Sequence, residues 1–161
     1  MIKLNESYLQ SREHSLFLHN YIKNTLQVSI RNSNPYPYNN NNHVFIHIRL
    51  GDVPHHNPGY NYYYKALSKL VFDKGYISSD SPSHYTCKSL MRAFPTLELF
   101  TNTEVNTIQF ASTCKYVVLS HGSFSFTIGN FAFDSSVYYP PYMTTMWHGD
   151  MFCVPEWHKV D

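Results

Sequence analysis

Apolar residues recur at Tyr8, Leu9, Leu16, Leu18, Tyr21, Ile22, Leu26 and Val28, with Glu6 in the first turn, and this spacing predicts an amphipathic helix over residues 7–30. A polar, proline-broken stretch follows, Asn32-Ser33-Asn34-Pro35-Tyr36-Pro37-Tyr38 and then Asn39 to Asn42. It has nothing to bury and reads as a connecting loop. From residue 43 the pattern changes to short apolar runs separated by helical spacings. Val44 to Leu50 is a strand whose residues can be hidden on both faces. Tyr62 to Phe72 has helical spacing, with Lys74-Gly75 read as its glycine stop.

The alternation continues. Tyr76-Ile77-Ser78-Ser79 reads as a second strand, and Asp80-Ser81-Pro82-Ser83 offers a cap and a proline for a helix over His84 to Phe94, stopped by Pro95. Leu97 to Thr101 is a third strand, Thr103 to Ser112 a helix, Tyr116 to Ser120 a fourth strand, Ser123 to Phe133 a helix and Ser136 to Tyr139 a fifth strand. Strands of this length alternating with helices imply right-handed crossovers. The expected fold is therefore α/β, a Rossmann-like, doubly wound parallel sheet of about five strands with helices on both faces. Residues 1–42 would be a helix and Asn-rich linker and residues 43–161 the sheet domain. The aromatic tail from Tyr142 onward, irregular in pattern, is expected to wrap back over the sheet.

Composition narrows the partners. Twelve Lys and Arg stand against eleven Asp and Glu, spread along the chain, so no basic face marks a nucleic-acid protein. Three cysteines without a C-x-x-C pair, and ten histidines without finger or H-E-x-x-H spacing, point to no metal centre. No apolar run is long enough for a membrane segment within this chain; the compartment is left open. Neither G-x-G-x-x-G nor a P-loop nor a G-x-S-x-G elbow occurs.

In an open parallel sheet, ligands lie outside the carboxyl ends of the strands. Four groups fall there: His47, Arg49, Gly51 and Asp52; Ser79 and Asp80; Thr101 and Asn102; and Ser120 to Ser125. His47 and Arg49, two apart, share a face and carry a permanent cation to the sheet edge. His121-Gly122-Ser123-Phe124-Ser125 stands directly before a helix start, where free amides and hydroxyls can cradle a phosphate. Two plainer readings stay open: Arg49 can pair with Asp52 to close a loop, and a serine before a helix is usually its cap.

The order of these elements resembles the α1,2-fucosyltransferase family and its α1,6- and protein O-fucosyltransferase relatives. His47-Ile48-Arg49-Leu50-Gly51-Asp52 is similar to their H-x-R-x-G-D element. Ile77-Ser78-Ser79-Asp80 is similar to their strand ending in S-D, and Cys114 through Phe126 to their C-D-Y-x-I-x-S-x-S-S-F-S-W element. The likeness covers residues 43–133. It implies the nucleotide-sugar-binding half of a GT-B-like glycosyltransferase, with GDP-fucose as donor, no cofactor and no metal, and inversion at the anomeric carbon. By matching position, catalytic roles would fall to Arg49, on the β-phosphate, and His47, shaping the same pocket. Donor binding would involve Gly51, Asp52 and Asp80, with Ser123, Phe124 and Ser125 on the diphosphate and ribose side; Asn102 joins them as a donor-binding candidate from its strand end alone. The acceptor would be a glycan or protein, with the acceptor lobe outside this stretch or on a partner chain. Phe126-Thr127 stands where the family commonly has paired tryptophans. The alternatives are a silent nucleotide-sugar-binding module acting with a partner chain, and a Rossmann-like domain whose Arg49–Asp52 pair is structural.

Overall fold

The computed structural model describes residues 11–161 except 40, 53, 145, 147 and 148. The first turns of the helix expected from residue 7 lie outside the described residues. From Ser11, whose hydroxyl caps the His14 amide, the chain runs through α1 (Arg12–Tyr21), a π-helical segment (Ile22–Leu26) and α2 (Gln27–Ser33). Then come β1 (His43–Ile48), α3 (Tyr60–Leu67), β2 (Lys74–Ser79), α4 (Tyr85–Ala93) and β3 (Leu97–Leu99). They are followed by α5 (Glu104–Ala111), β4 (Tyr116–Val118), α6 (Ser123–Phe131), β5 (Ser136–Tyr139) and β6 (His158–Lys159).

All pairings are parallel, in the order β3-β2-β1-β4-β5-β6. This is the strand order of dinucleotide-binding Rossmann sheets, and the order reverses between β1 and β4. The period of two along β1 sorts its side chains onto two cores. Val44, Ile46 and Ile48 pack with Tyr62, Tyr63, Ala66 and Leu67 of α3 and Leu90 of α4. Phe45 faces the other way, into a core with Val117, Phe126, Ile128, Phe152 and Trp157. Helices therefore cover both faces, as the alternation predicts, and His47 falls on the α6 side.

Three expectations need correction. Lys74 and Gly75 do not end a helix: α3 stops at Leu67, and these two residues open β2. The Asp73 amide bonds to the Asn42 carbonyl at 2.9 Å, which starts β2 in register beside β1. Gly75 is required by close packing, since a Cβ there would run into Leu97 and Val44 side chains. The cap of α4 is His84, whose ring accepts the Thr86 amide at 3.2 Å, rather than a residue of Asp80–Ser83. Finally, the sheet has a sixth strand. The tail does fold back, burying Met151, Phe152, Val154 and Trp157, and then adds β6 beside β5.

The Asn-rich connector is tied down by its own amides. Asn34 Nδ2 donates to Tyr38 Oη, the Gln109 carbonyl and Ser112 Oγ, each at 3.0 Å, and Asn41 Nδ2 donates to the Thr113 carbonyl at 3.0 Å. Polar side chains thus dock the loop on the end of α5, and the Tyr36 ring packs edge-to-face on Phe110 at 5.4 Å. Among the described residues, no helix is long and apolar enough to cross a membrane.

Candidate functional site

A cleft of about 630 Å³ opens at the carboxyl ends of β1, β2 and β4. Each strand delivers its side chains because the parallel sheet ends all of them at one edge. From β1 and the loop after it come His47, Arg49 and Asp52; from the end of β2, Ser78, Ser79 and Asp80; from the loop after β3, Asn102; from the turn into α6, Gly122, Ser123 and Phe124.

Arg49 is held by two carboxylates. Nη1 donates to Asp80 Oδ2 and Nη2 to Asp52 Oδ1. The partners differ: the Asp52 side chain is 75 % exposed and Asp80 27 %. Asp80 also accepts the Leu50 amide at 2.9 Å, so it fixes the chain just beyond β1 as well as the guanidinium. Asn57 braces the loop from beneath, donating to the Arg49 carbonyl at 2.7 Å and to Tyr63 Oη at 3.0 Å.

The opposite wall is the start of α6. Gly122 stands at the cap position with φ +99°, in the left-handed region that favours glycine, and no side chain caps the helix. The first amides of α6 therefore begin at the cleft with the positive end of the helix dipole. His47 lies between Arg49 and this helix start. It is buried, with its Nδ1 2.5 Å from Ser125 Oγ and the Phe124 ring edge-to-face at 5.2 Å. Burial first, and then the Arg49 charge, push its pKa down to about 4 against an opposing pull from Asp80.

Seven of the nine residues given catalytic or donor-binding roles line this one cleft: His47, Arg49, Asp52, Asp80, Asn102, Ser123 and Phe124. Gly51 and Ser125 do not. Gly51 lies against Asp80, where a Cβ would come within 2.5 Å of Oδ2, and Ser125 is fully buried behind His47. Glu104, Thr107 and Met146 also line the cleft and were not singled out from the sequence. Glu104 and Thr107 follow a strand end, so the carboxyl-edge rule applied to α5 would have found them. Met146 arrives from the irregular tail, where no pattern points to it.

Behind the lining residues, hydroxyls of α3 tie down the end of β4. Tyr62 Oη donates to the Leu119 carbonyl at 2.7 Å and Tyr63 Oη to Ser120 Oγ at 3.0 Å, both buried. Tyr63→Phe keeps the ring but strips a partner from Asn57 and Ser120. It should cost about 1–3 kcal/mol in urea unfolding, as an orphaned buried polar group does. A loss within error would mean that the Tyr63 hydroxyl contributes nothing to holding Asn57 and Ser120.

Fold and cleft together define a Rossmann-like parallel α/β domain with a cleft at the sheet's topological switch point. No family model matches the chain, and no curated protein matches it.

Proposed function

We propose that this domain is the nucleotide-sugar-binding half of a glycosyltransferase of fucosyltransferase type, taking GDP-fucose as donor for a glycan or protein acceptor. One observation carries the reading: Arg49 and the uncapped start of α6 border the same cleft at the switch point. A planar cation and a row of helix-start amides suit the two phosphates of a nucleotide diphosphate without requiring a metal. The order of the sequence elements from His47 to Phe126 adds the donor class.

In this reading the bond from the anomeric carbon to the β-phosphate oxygen breaks as the acceptor hydroxyl oxygen attacks from the opposite side. The acceptor proton goes to a base, and the diphosphate leaves with the bonding electrons. Arg49 acts where charge grows on the departing oxygen, so it stabilises the transition state more than the bound donor. Asp80 keeps the guanidinium turned to the cleft. Asp52, largely in solvent, is the partner that yields to the ligand, since exposed ion pairs contribute about 0–1 kcal/mol.

The double pairing of Arg49 also favours a second reading, in which the guanidinium latches the ends of β1 and β2 and binds no anion. Thermal unfolding with GDP or UDP at millimolar concentration, both with EDTA, separates the two. If GDP reaches about 100 times its Kd, it should stabilise the domain by about 2.7 kcal/mol and raise Tm by roughly 5 °C or more. A shift with UDP alone would discard the fucose donor, and no shift with either would favour the latch.

A further inference from the structure

His47, 5 % exposed, is set deep in the cleft wall facing α6. Its Nδ1 lies 2.5 Å from Ser125 Oγ, and the same oxygen accepts the Ser120 amide at 3.0 Å. With that amide already donating to it, the hydroxyl has its own proton to give, and Nδ1 is the acceptor within reach. Nε2 has no partner among the described residues, while the ring lines the cleft.

We infer that Ser125 is a positioning residue for His47: its hydroxyl donates to Nδ1, leaves the imidazole proton on Nε2, and so makes a buried histidine a fixed N–H donor beside Arg49 and the start of α6. The ligand class that such a donor takes is an acceptor oxygen, in this setting a phosphoryl oxygen. The tautomer stands on the protein's own hydrogen bonds, whereas assigning the donor to a diphosphate rests on the function proposed above.

The surroundings keep the ring uncharged. The burial imposed by α6 and Arg49 just beyond the end of β1 disfavour a second proton, and Asp80 just after β2 opposes them without prevailing. The other titratable side chains of the cleft are Asp52, His56, Glu104 and His121. A histidine with an ordinary pKa near 6.5 would gain charge on going from about pH 8 to 5, and anion binding would strengthen with it. His47 should instead give the same neutral donor throughout that range, because the neutral form persists above a pKa of about 4.

The test is nitrogen NMR of the protein labelled with 15N-histidine, His47 being assigned by the signal lost in His47→Gln. A protonated-type Nε2 and an unprotonated-type Nδ1, unchanged between about pH 8 and 5.5, are expected. A proton on Nδ1, or two averaged nitrogens, overturns the inference. Ser125→Ala should average the two signals and weaken inorganic pyrophosphate binding about tenfold, and Ser125→Thr should restore both. A folded Ser125→Ala protein with the parental pattern removes Ser125 from the role; if that variant does not fold, the parental spectrum still decides the tautomer. Pyrophosphate bound without moving Nε2 overturns the donor role. Pyrophosphate that does not bind at all sinks the diphosphate reading of the cleft and leaves the tautomer to be judged by the spectrum alone.

Discussion

An Arg49→Lys protein should fold with its sheet intact and bind GDP at least tenfold more weakly than the parent, about 1.4 kcal/mol or more. Lysine keeps the charge and can still meet one of the two carboxylates, but it lacks the planar fork that grips Asp80 and a phosphate together. Stability should change little, because both ion pairs are partly in solvent. Asp52→Asn should weaken binding far less, its side chain being mostly exposed. Asp80→Asn should weaken it more, since the same carboxylate holds Arg49 and the Leu50 amide. Titration of GDP and circular dichroism on the same samples decide the matter. If Arg49→Lys and Asp80→Asn both unfold the protein, the guanidinium belongs to the architecture and the donor reading loses its anchor.

Trp157→Ala should be the most destabilising single change in the tail, costing about 3–5 kcal/mol and lowering Tm on the order of 10 °C. The indole is 8 % exposed and sits over α6, so close that a Cβ on Gly129 would lie 2.6 and 2.7 Å from its ring carbons. Phe126, Phe152 and His19 surround it with ring centroids at 5.8, 6.3 and 5.9 Å. Removing it opens a cavity between the tail, α1 and α6 that these rigid neighbours cannot close. Val71→Ala, 78 % exposed, is the control and should leave Tm nearly unchanged. A loss below about 1 kcal/mol for Trp157→Ala would mean that the tail is an appendage and not part of the core.

The elements readable in advance are those whose burial writes a period into the chain. β1 is hidden on both faces, so Val44 to Ile48 is apolar apart from the buried His47, and Thr103 announces α5 through the Asn106 amide that its hydroxyl accepts at 3.3 Å. β6 left no such mark, because His158 and Lys159 are exposed and two residues carry no period. Gly75 misled for a related reason: a glycine after an apolar stretch looks like a helix stop, but here it marks a place where Leu97 and Val44 leave no room for a side chain. The π-helical segment at Ile22–Leu26 keeps the apolar spacing of its α-helical neighbours. At the cleft, the strand ends were legible because topology alone puts them together. The roles of Ser125 and Gly51 were not, since whether a side chain faces ligand or supports a neighbour depends on packing from α6 and β2.

The sheet ends at both margins in very short strands, Leu97–Leu99 on one side and His158–Lys159 on the other. Charge flanks each: Lys74 pairs with Glu98 at 2.9 Å, and Lys159 with Asp161 at 2.9 Å. An edge of two or three residues bearing charged side chains is a poor template for another chain's backbone. Copies of this domain should therefore stay apart at high concentration instead of zipping strand to strand into fibres, although the interior strands β1 and β4 are rich in the β-branched and aromatic residues that would otherwise favour it.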